Sequence, residues 1–517
     1  MSMEKSRVTA TVCAGYRLWA YGLCAAVLFA ATDSAAVNAV ETMPLPCPQK
    51  CKTDVAAPVA LDETATVTVD CPDDSAVAWL ALHFKQWYGV HAPKTGRASV
   101  RSRVAGGSEA YTLRADPSNG VRIAANTLSG VRWAAYTLRQ MAGVKRGTFK
   151  IEGRVLPSLE IADRPRLAFR GVHLCWFPET RPAQMERAIR LAAYLKFNYV
   201  VLETWGTFKS EVHPWRNWPD APCTKAEARR LADIGRDLGV TVIPQMQIFG
   251  HASLARGGSA KHATLDMHPE YEPLFEPGGW VWCLANPHTQ RVLRELVAEM
   301  HEAFGSPPWF HLGCDEANRP PCPLCAKHPR AKLVAGHIAG MAKFLKARGA
   351  RSMVWHDMFV DAKDPQWSDA DNRANGTAET AAALDLLPRD IVICDWQYQG
   401  NRQDAKKDWP TMEYFRSKGF DVCGCPYGNF RSFKPMADAL AKMGGMGFIE
   451  TTWNTLSGKG GWEKMYALGA AAAWGTAAKG RDAFANALRT VDNDMKVGDY
   501  RDTGVLNWQI PPESFQK

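Results

Sequence analysis

At about 150 residues per domain, a chain of 517 residues has room for roughly two to four domains and is too long for a disulfide-stapled miniprotein or a lone binding module. Hydrophobic residues at 46% against 22% charged exclude a disordered chain. The 62 Lys and Arg exceed the 53 Asp and Glu by only 9, and no basic block of the kind that tracks a phosphate backbone stands out, so no nucleic-acid partner is expected.

Lys5, Arg7 and Arg17 precede an apolar run at 18–31, and small residues continue to 36–39. These are the three regions of a secretory signal peptide over 1–39, with cleavage near Ala39 and a periplasmic or secreted product. The run is too short to cross a bilayer comfortably, and no later stretch would form a stable span once the signal is removed. An uncleaved signal anchor is the alternative. Of 14 cysteines, Cys13 and Cys24 would leave with the signal, and the other 12 would meet an oxidising compartment. Cys47-x3-Cys51, with Cys71 nearby, and Cys322-x2-Cys325 are the candidate pairs. The second spacing, with Cys314 and His328 close by, also fits part of a zinc site, although no matching second Cys-x2-Cys exists.

A Pro- and Cys-rich stretch fills 43–60. Strand-like alternation at 65–69, an amphipathic helix at 74–88, strands at 109–114 and 120–125 and a helix at 129–141 then describe a small α+β domain over 60–160. Gly143, Gly153 and Pro157 mark its end.

From residue 165 short apolar runs alternate with amphipathic helices. The strands fall at 167–174, 199–203, 241–247, 309–314, 352–357, 391–396, 421–425 and 447–453. Helices fall at 182–195, 225–238, 287–304, 331–348, 409–417, 435–443 and 462–474. The clearest helix takes Asn286 as N-cap and Pro287 as its first residue, with Val292, Leu293, Leu296, Val297, Met300 and Phe304 on one stripe. Eight strands with intervening helices over 165–476 predict a (β/α)8 TIM barrel. A doubly wound sheet is the competitor, but no Gly-rich phosphate loop follows the first strand. Residues 477–517 carry no motif and read as a C-terminal extension.

Barrel chemistry belongs at the carboxyl ends of the strands. In order these ends carry His173, Glu203 with Trp205, Gln247 with His251, Asp315-Glu316, Trp355 with Asp357, Asp395-Trp396, Tyr427 and Trp453. Acids beside indoles describe a cleft for a polyhydroxylated ligand, since Trp faces stack on the C–H faces of sugars. The chain's 19 Trp against 13 Tyr fit that reading, although barrel interiors also consume Trp. Two adjacent carboxylates do not ionise together easily, so one is expected to be held neutral. The bland alternatives are an Asp-Glu helix cap, a loop histidine at 251 and a Glu203–Arg170 ion pair across the barrel mouth.

The strand end His311-Leu312-Gly313-Cys314-Asp315-Glu316 resembles the His-x-Gly-x-Asp-Glu signature of glycoside hydrolase family 20, the β-N-acetylhexosaminidases. Tyr111-Thr112-Leu113 and the run from Gly130 to Met141 are similar to the end of that family's small α/β domain. Asp163-Arg164-Pro165-Arg166 with Phe169-Arg170-Gly171 resembles its lead-in to the barrel, and Val242-Ile243-Pro244 with Gly250-His251 its third strand. The resemblance spans 60–475. It implies Glu316 as general acid/base and Asp315 as the group that orients the substrate's 2-acetamido arm, whose oxygen attacks the anomeric carbon. It further implies Trp355, Trp396 and Trp453 around that arm, Tyr427 bonded to it, Arg170 on ring hydroxyls and His251 supporting the acid. Glu203 and Asp357 join them as substrate-binding candidates. The substrate is then a glycan or amino-sugar glycoside, with no cofactor and no catalytic metal.

The chain departs from the family's larger branch at Tyr199-Val200-Val201-Leu202-Glu203-Thr204-Trp205-Gly206, which looks closer to the hexosaminidase D-like branch. Trp453-Asn454-Thr455 lacks the acid that many members place two residues after this Trp. These departures leave two other readings open: a non-catalytic glycan-binding protein on the same scaffold, and a barrel glycosidase acting on a non-acetylated hexoside.

Overall fold

The computed structural model describes residues 43–99, 103–142, 155–178, 180–253, 264–367, 372–398, 408–453, 456 and 462–476. The expected signal segment, the C-terminal extension and Thr455 lie outside these residues. Among the described residues no helix is long and apolar enough to cross a membrane.

The first domain is built on a six-stranded sheet of β1 (Lys50–Ala60), β2 (Thr66–Asp70), β3 (Lys94–Arg97), β4 (Tyr111–Asp116), β5 (Gly120–Ala125) and β6 (Val155–Asp163), in the order β1-β6-β4-β5-β2-β3. In β4 the side chains of Tyr111, Leu113 and Ala115 turn inward while Arg114 faces water, the period-2 pattern of a half-buried strand. At the tip of the β4–β5 hairpin the Asp116 carboxylate accepts from the backbone N–H groups of Ser118 (3.0 Å) and Asn119 (2.7 Å).

Three of these strands escape the sequence pattern. β1 is an edge strand exposed along most of its length, with a register shift between Asp54 and Pro58, so it shows no apolar alternation. The four-residue β3 is the other edge. β6 falls where Pro157 signals a boundary, yet Pro157 lies opposite Pro58 beyond that shift, in the place where a strand tolerates proline. The sheet therefore starts ahead of residue 60.

The helices Ser75–Tyr88 and Leu128–Met141 pack against the sheet, and the second is buried on nearly every side because the barrel covers it. Tyr136 donates to the Leu238 carbonyl (2.8 Å), Gln140 to that of Tyr194 (2.8 Å) and Trp79 to that of Asp237 (2.9 Å). These carbonyls end barrel helices just before a strand begins, so the small domain caps the amino end of the barrel.

The barrel itself closes through β7 (Phe169–Cys175), β8 (Tyr199–Glu203), β9 (Thr241–Gln245), β10 (Trp309–His311), β11 (Arg351–Trp355), β12 (Val392–Tyr398), β13 (Asp421–Tyr427) and β14 (Gly447–Thr451). All neighbours are parallel, and β14 returns to β7 with Gly447 opposite Phe169. Phe169, Val201, Ile243, Met353, Cys423 and Ile449 fill the interior, leaving the strand ends above them for function. Helix termini follow the sequence closely. Thr224 caps Lys225–Leu238 by accepting from Glu227 N–H (3.1 Å), and Asn286 caps Pro287–Ala303 by accepting from His288 N–H (2.9 Å).

Candidate active site

The turn after β10 sets the site. Gly313, Cys314 and Glu316 all have positive φ (66°, 81° and 50°), a conformation that costs a residue with a Cβ of order 1–3 kcal/mol and that collects where function over-determines the backbone. Gly313 meets a second demand, since a Cβ there would overlap the Gln247 carboxamide. That carboxamide is the hub of the site. Its oxygen accepts from Cys314 N–H (3.0 Å), and its nitrogen donates to Glu203 Oε1 (2.9 Å) and Asp315 Oδ1 (2.8 Å). Glu203 Oε2 lies 3.1 Å from His173 Nε2, so Glu203 holds Gln247 from beneath.

The two adjacent acids part company. The Asp315 side chain is 6% exposed and the Glu316 side chain 44%, with His251 Nε2 between them at 3.3 and 3.4 Å. Burial works against a charged imidazole, but Asp315 and Glu316 outweigh it and raise the His251 pKa to about 9. Burial also disfavours the Asp315 carboxylate, yet the His251 charge and the Gln247 N–H more than offset it and hold its pKa below the ordinary value. His251 itself sits at positive φ (50°) between Trp205 and Trp280, whose rings lie 5.3 and 4.5 Å from its own.

Asp357 fixes Glu316 from the other side. Its Oδ2 accepts from Glu316 N–H (2.8 Å) and Asn375 Nδ2 (3.0 Å), and its Oδ1 from the Trp396 indole (3.3 Å). Burial, reinforced by the Asp315 charge, pushes the Asp357 carboxyl well above the usual carboxylate range. The expectation of a neutral acid within the adjacent pair is not met at Asp315, whose charged form is favoured; the neutral form is favoured instead at Asp357.

Trp355, Trp396 and Trp453 meet in one aromatic cluster with Tyr398. Trp355 is fully buried as its floor, 4.3 Å from His311 and 5.6 Å from Trp453 between ring centres. Trp396 and the half-buried Trp453 rise beside it, and Tyr427 packs edge-on to Tyr398 at 5.3 Å. The indole N–H groups of Trp355 and Trp453 are buried without an acceptor among the described residues.

Two expectations are corrected. Arg170 is not in the cleft: it lies near the amino end of β7, 1% exposed, and its guanidinium is bonded to Glu109 (2.7 and 2.9 Å) and to the carbonyls of Lys196 and Leu167. Nor does Glu203 pair with it, since Glu203 sits at the opposite end of the barrel. Phe169, Gly171 and His173 take the inward positions of β7, and the period of two sends Arg170 outward to the small domain. Three further residues complete the site without having been singled out. Trp280 donates to the Glu316 carbonyl (2.7 Å), Asn375 braces Asp357, and Tyr398 stands one strand period beyond Trp396. Only Tyr398 had a pattern to find it by, because Trp396-Gln397-Tyr398 places both rings on one face.

Fold and site together define a (β/α)8 barrel protein with a carboxylate-and-tryptophan cluster at the carboxyl ends of its strands. The description "Glycosyl hydrolase family 20, domain 2" matches residues 39–164, and "Glycosyl hydrolase family 20, catalytic domain" matches 197–442. The chain belongs to glycosyl hydrolase family 20.

Among similar proteins, Beta-hexosaminidase 1 of Coccidioides posadasii is 24% identical over 347 residues, covering 58% of this chain and 51% of its own length. Beta-hexosaminidase of Vibrio furnissii is 25% identical over 323 residues, covering 55% and 52%. The chain thus spans about half the length of these relatives. A similar fold is seen in a beta-N-acetylhexosaminidase from Bacteroides fragilis (TM-score 0.61, 18% identity, 84% of this chain and 91% of that one). It is also seen in an exo beta-N-acetylglucosaminidase from Vibrio harveyi (TM-score 0.62, 16% identity, 88% and 77%).

Proposed function

We propose that this chain is an exo-acting β-N-acetylhexosaminidase that removes terminal N-acetyl-hexosamine residues by substrate-assisted, retaining catalysis. The observation that carries this reading is the division of the adjacent acids, Asp315 buried and Glu316 reaching solvent. Among the strand-end acids described above, Glu203 and Asp357 are spent on Gln247, His173, Asn375 and Trp396, and Glu316 alone reaches solvent. Among these described strand-end acids, a scheme with two enzyme carboxylates across the sugar ring has no second member, which favours a nucleophile supplied by the substrate.

In this reading the 2-acetamido oxygen attacks the anomeric carbon as the glycosidic C–O bond breaks, and Glu316 gives its proton to the departing oxygen. The product is a bicyclic oxazolinium ion whose N–H faces Asp315, a carboxylate that holds the arm in place and offsets the developing positive charge. Water then attacks the anomeric carbon as its bond to the acetamido oxygen breaks and the acetamide re-forms, while Glu316, now the base, takes the water's proton. Two inversions give net retention. Trp355 as floor and Trp396 and Trp453 as walls would hold the acetamido arm, with Tyr427 bonded to it. The basic-then-apolar pattern of 1–39 supports an activity in the periplasm or outside the cell.

The test is turnover of a chromogenic N-acetyl-β-hexosaminide by wild type, Glu316→Gln and Asp315→Asn. Strong activity lost in both variants supports the reading. Equal rates in all three would overturn it, and binding of amino sugars with no turnover would point to a glycan-binding protein instead.

A further inference from the structure

Outside the catalytic cluster, three cysteines from two loops meet in space. Cys283 Sγ lies 3.5 Å from Cys322 Sγ and 3.6 Å from Cys325 Sγ, and all three sulfurs fall within 4.8 Å of one another. A disulfide requires about 2.05 Å between sulfurs and uses only two of the three. Tetrahedral zinc, with Zn–S bonds of about 2.3 Å, sets its thiolates about 3.8 Å apart and uses them all.

The backbone around the sulfurs suits thiolates. Cys325 N–H points at Cys322 Sγ (3.4 Å) and Ala285 N–H at Cys325 Sγ (3.4 Å), so two of the three sulfurs accept a donor that would stabilise negative charge. The fully buried Glu276 accepts from Cys322 N–H through Oε2, while Oε1 has no hydrogen-bond partner and stands 3.8 Å from the Arg330 guanidinium. Three converging thiols are a donor set for a cation, and a buried carboxylate on the adjoining backbone adds negative charge near it.

We propose that Cys283, Cys322 and Cys325 bind zinc(II) as a structural site, with Glu276 or a solvent oxygen as the fourth donor. Binding transfers the thiol protons to solvent and leaves Arg330 to balance Glu276. The sequence expectation of Cys314 and His328 as companions of Cys322 and Cys325 is corrected: Cys283, 39 residues upstream of Cys322, supplies the third sulfur.

The ion would link the two loops that flank the acid/base. Trp280 and Trp282, just ahead of Cys283, donate to the carbonyls of Glu316 (2.7 Å) and Gln247 (3.0 Å), while Cys322 and Cys325 lie on the segment that leaves Glu316. Its role is therefore positional, and it does not depend on the reaction assigned to Glu316.

The test is elemental analysis of the full chain purified without chelator, paired with the absorption spectrum of the cobalt(II)-exchanged protein. A single zinc per chain is expected, and thiolate-to-cobalt charge-transfer bands with the strong visible bands of a tetrahedral ion. Cys283→Ser and Cys322→Ser should lose the zinc, and Cys314→Ser should keep it. The wild-type stoichiometry and spectrum decide the matter even if a serine variant fails to fold. Protein without stoichiometric zinc, or a peptide map showing a disulfide among these three cysteines, would overturn the proposal.

Discussion

The two ends of the barrel handle buried charge in opposite ways. At the amino end each charge has an opposite partner: Arg170 with Glu109, and Lys196 with Asp163 at 3.0 Å, where the ammonium is also bonded to Tyr111 and lies over the Trp474 ring. At the carboxyl end Glu203, Asp315, Glu316 and Asp357 crowd together, and His251 stands between two of them. Non-glycine residues with positive φ recur there as well, at Trp205, His251, Cys314, Glu316 and Trp453. The amino end is built to join two layers of structure, and although Lys196 there also has positive φ, the carboxyl end gathers most such residues together with a crowd of acids at a cost in stability. A stability–function trade-off of this kind marks a site where chemistry, not packing, selects the residues.

Substitutions can break that contrast. Glu316→Gln should lower kcat by about 10²–10⁴, the usual worth of general acid/base catalysis, with little change in the denaturation midpoint. Lys196→Ala should do the reverse. Leaving Asp163 buried and unpaired costs about 3–5 kcal/mol in urea unfolding, while kcat/KM of the folded fraction stays near wild type. Arg170→Met should behave like Lys196→Ala, and a rise in KM without loss of stability would return Arg170 to the cleft.

The His251 imidazolium sharpens the contrast through pH. Because its pKa is raised to about 9, its contribution to stability is complete below about 6.5, the value for an ordinary histidine, and disappears as the pH rises through about 9. The stability gap between wild type and His251→Gln should therefore shrink between pH 7 and pH 10, as read by denaturant titration at each pH. The smallest effect is expected from Trp280→Phe. Losing one hydrogen bond to the Glu316 carbonyl, worth about 1 kcal/mol, should reduce kcat about fivefold.

The barrel was legible because its strands are short, largely apolar runs and its helices carry caps such as Thr224 and Asn286. The edge strands β1 and β3 were not, since exposed strands need no apolar period. Within the site, Asp315, Glu316 and His251 could be placed by strand-end position, and all three converge. Arg170 was misplaced because a motif gives a residue's strand but not its face or height, and here the inward positions of β7 are taken by Phe169, Gly171 and His173. Trp280 and Asn375 come from loops, where no periodicity predicts which side chain returns to the site. The cysteine cluster was half legible for the same reason: Cys322 and Cys325 share a spacing, whereas Cys283 joins them only through the fold.

The most direct test of the central claim varies the substrate rather than the protein. A series of aryl β-glycosides whose 2-acetamido methyl carries successively more fluorine makes the acetamido oxygen a progressively poorer nucleophile while leaving the scissile bond unchanged. If that oxygen attacks the anomeric carbon under the control of Asp315 and Glu316, kcat/KM should fall steeply and continuously with each fluorine. A flat series would contradict the account and return the nucleophile to the protein.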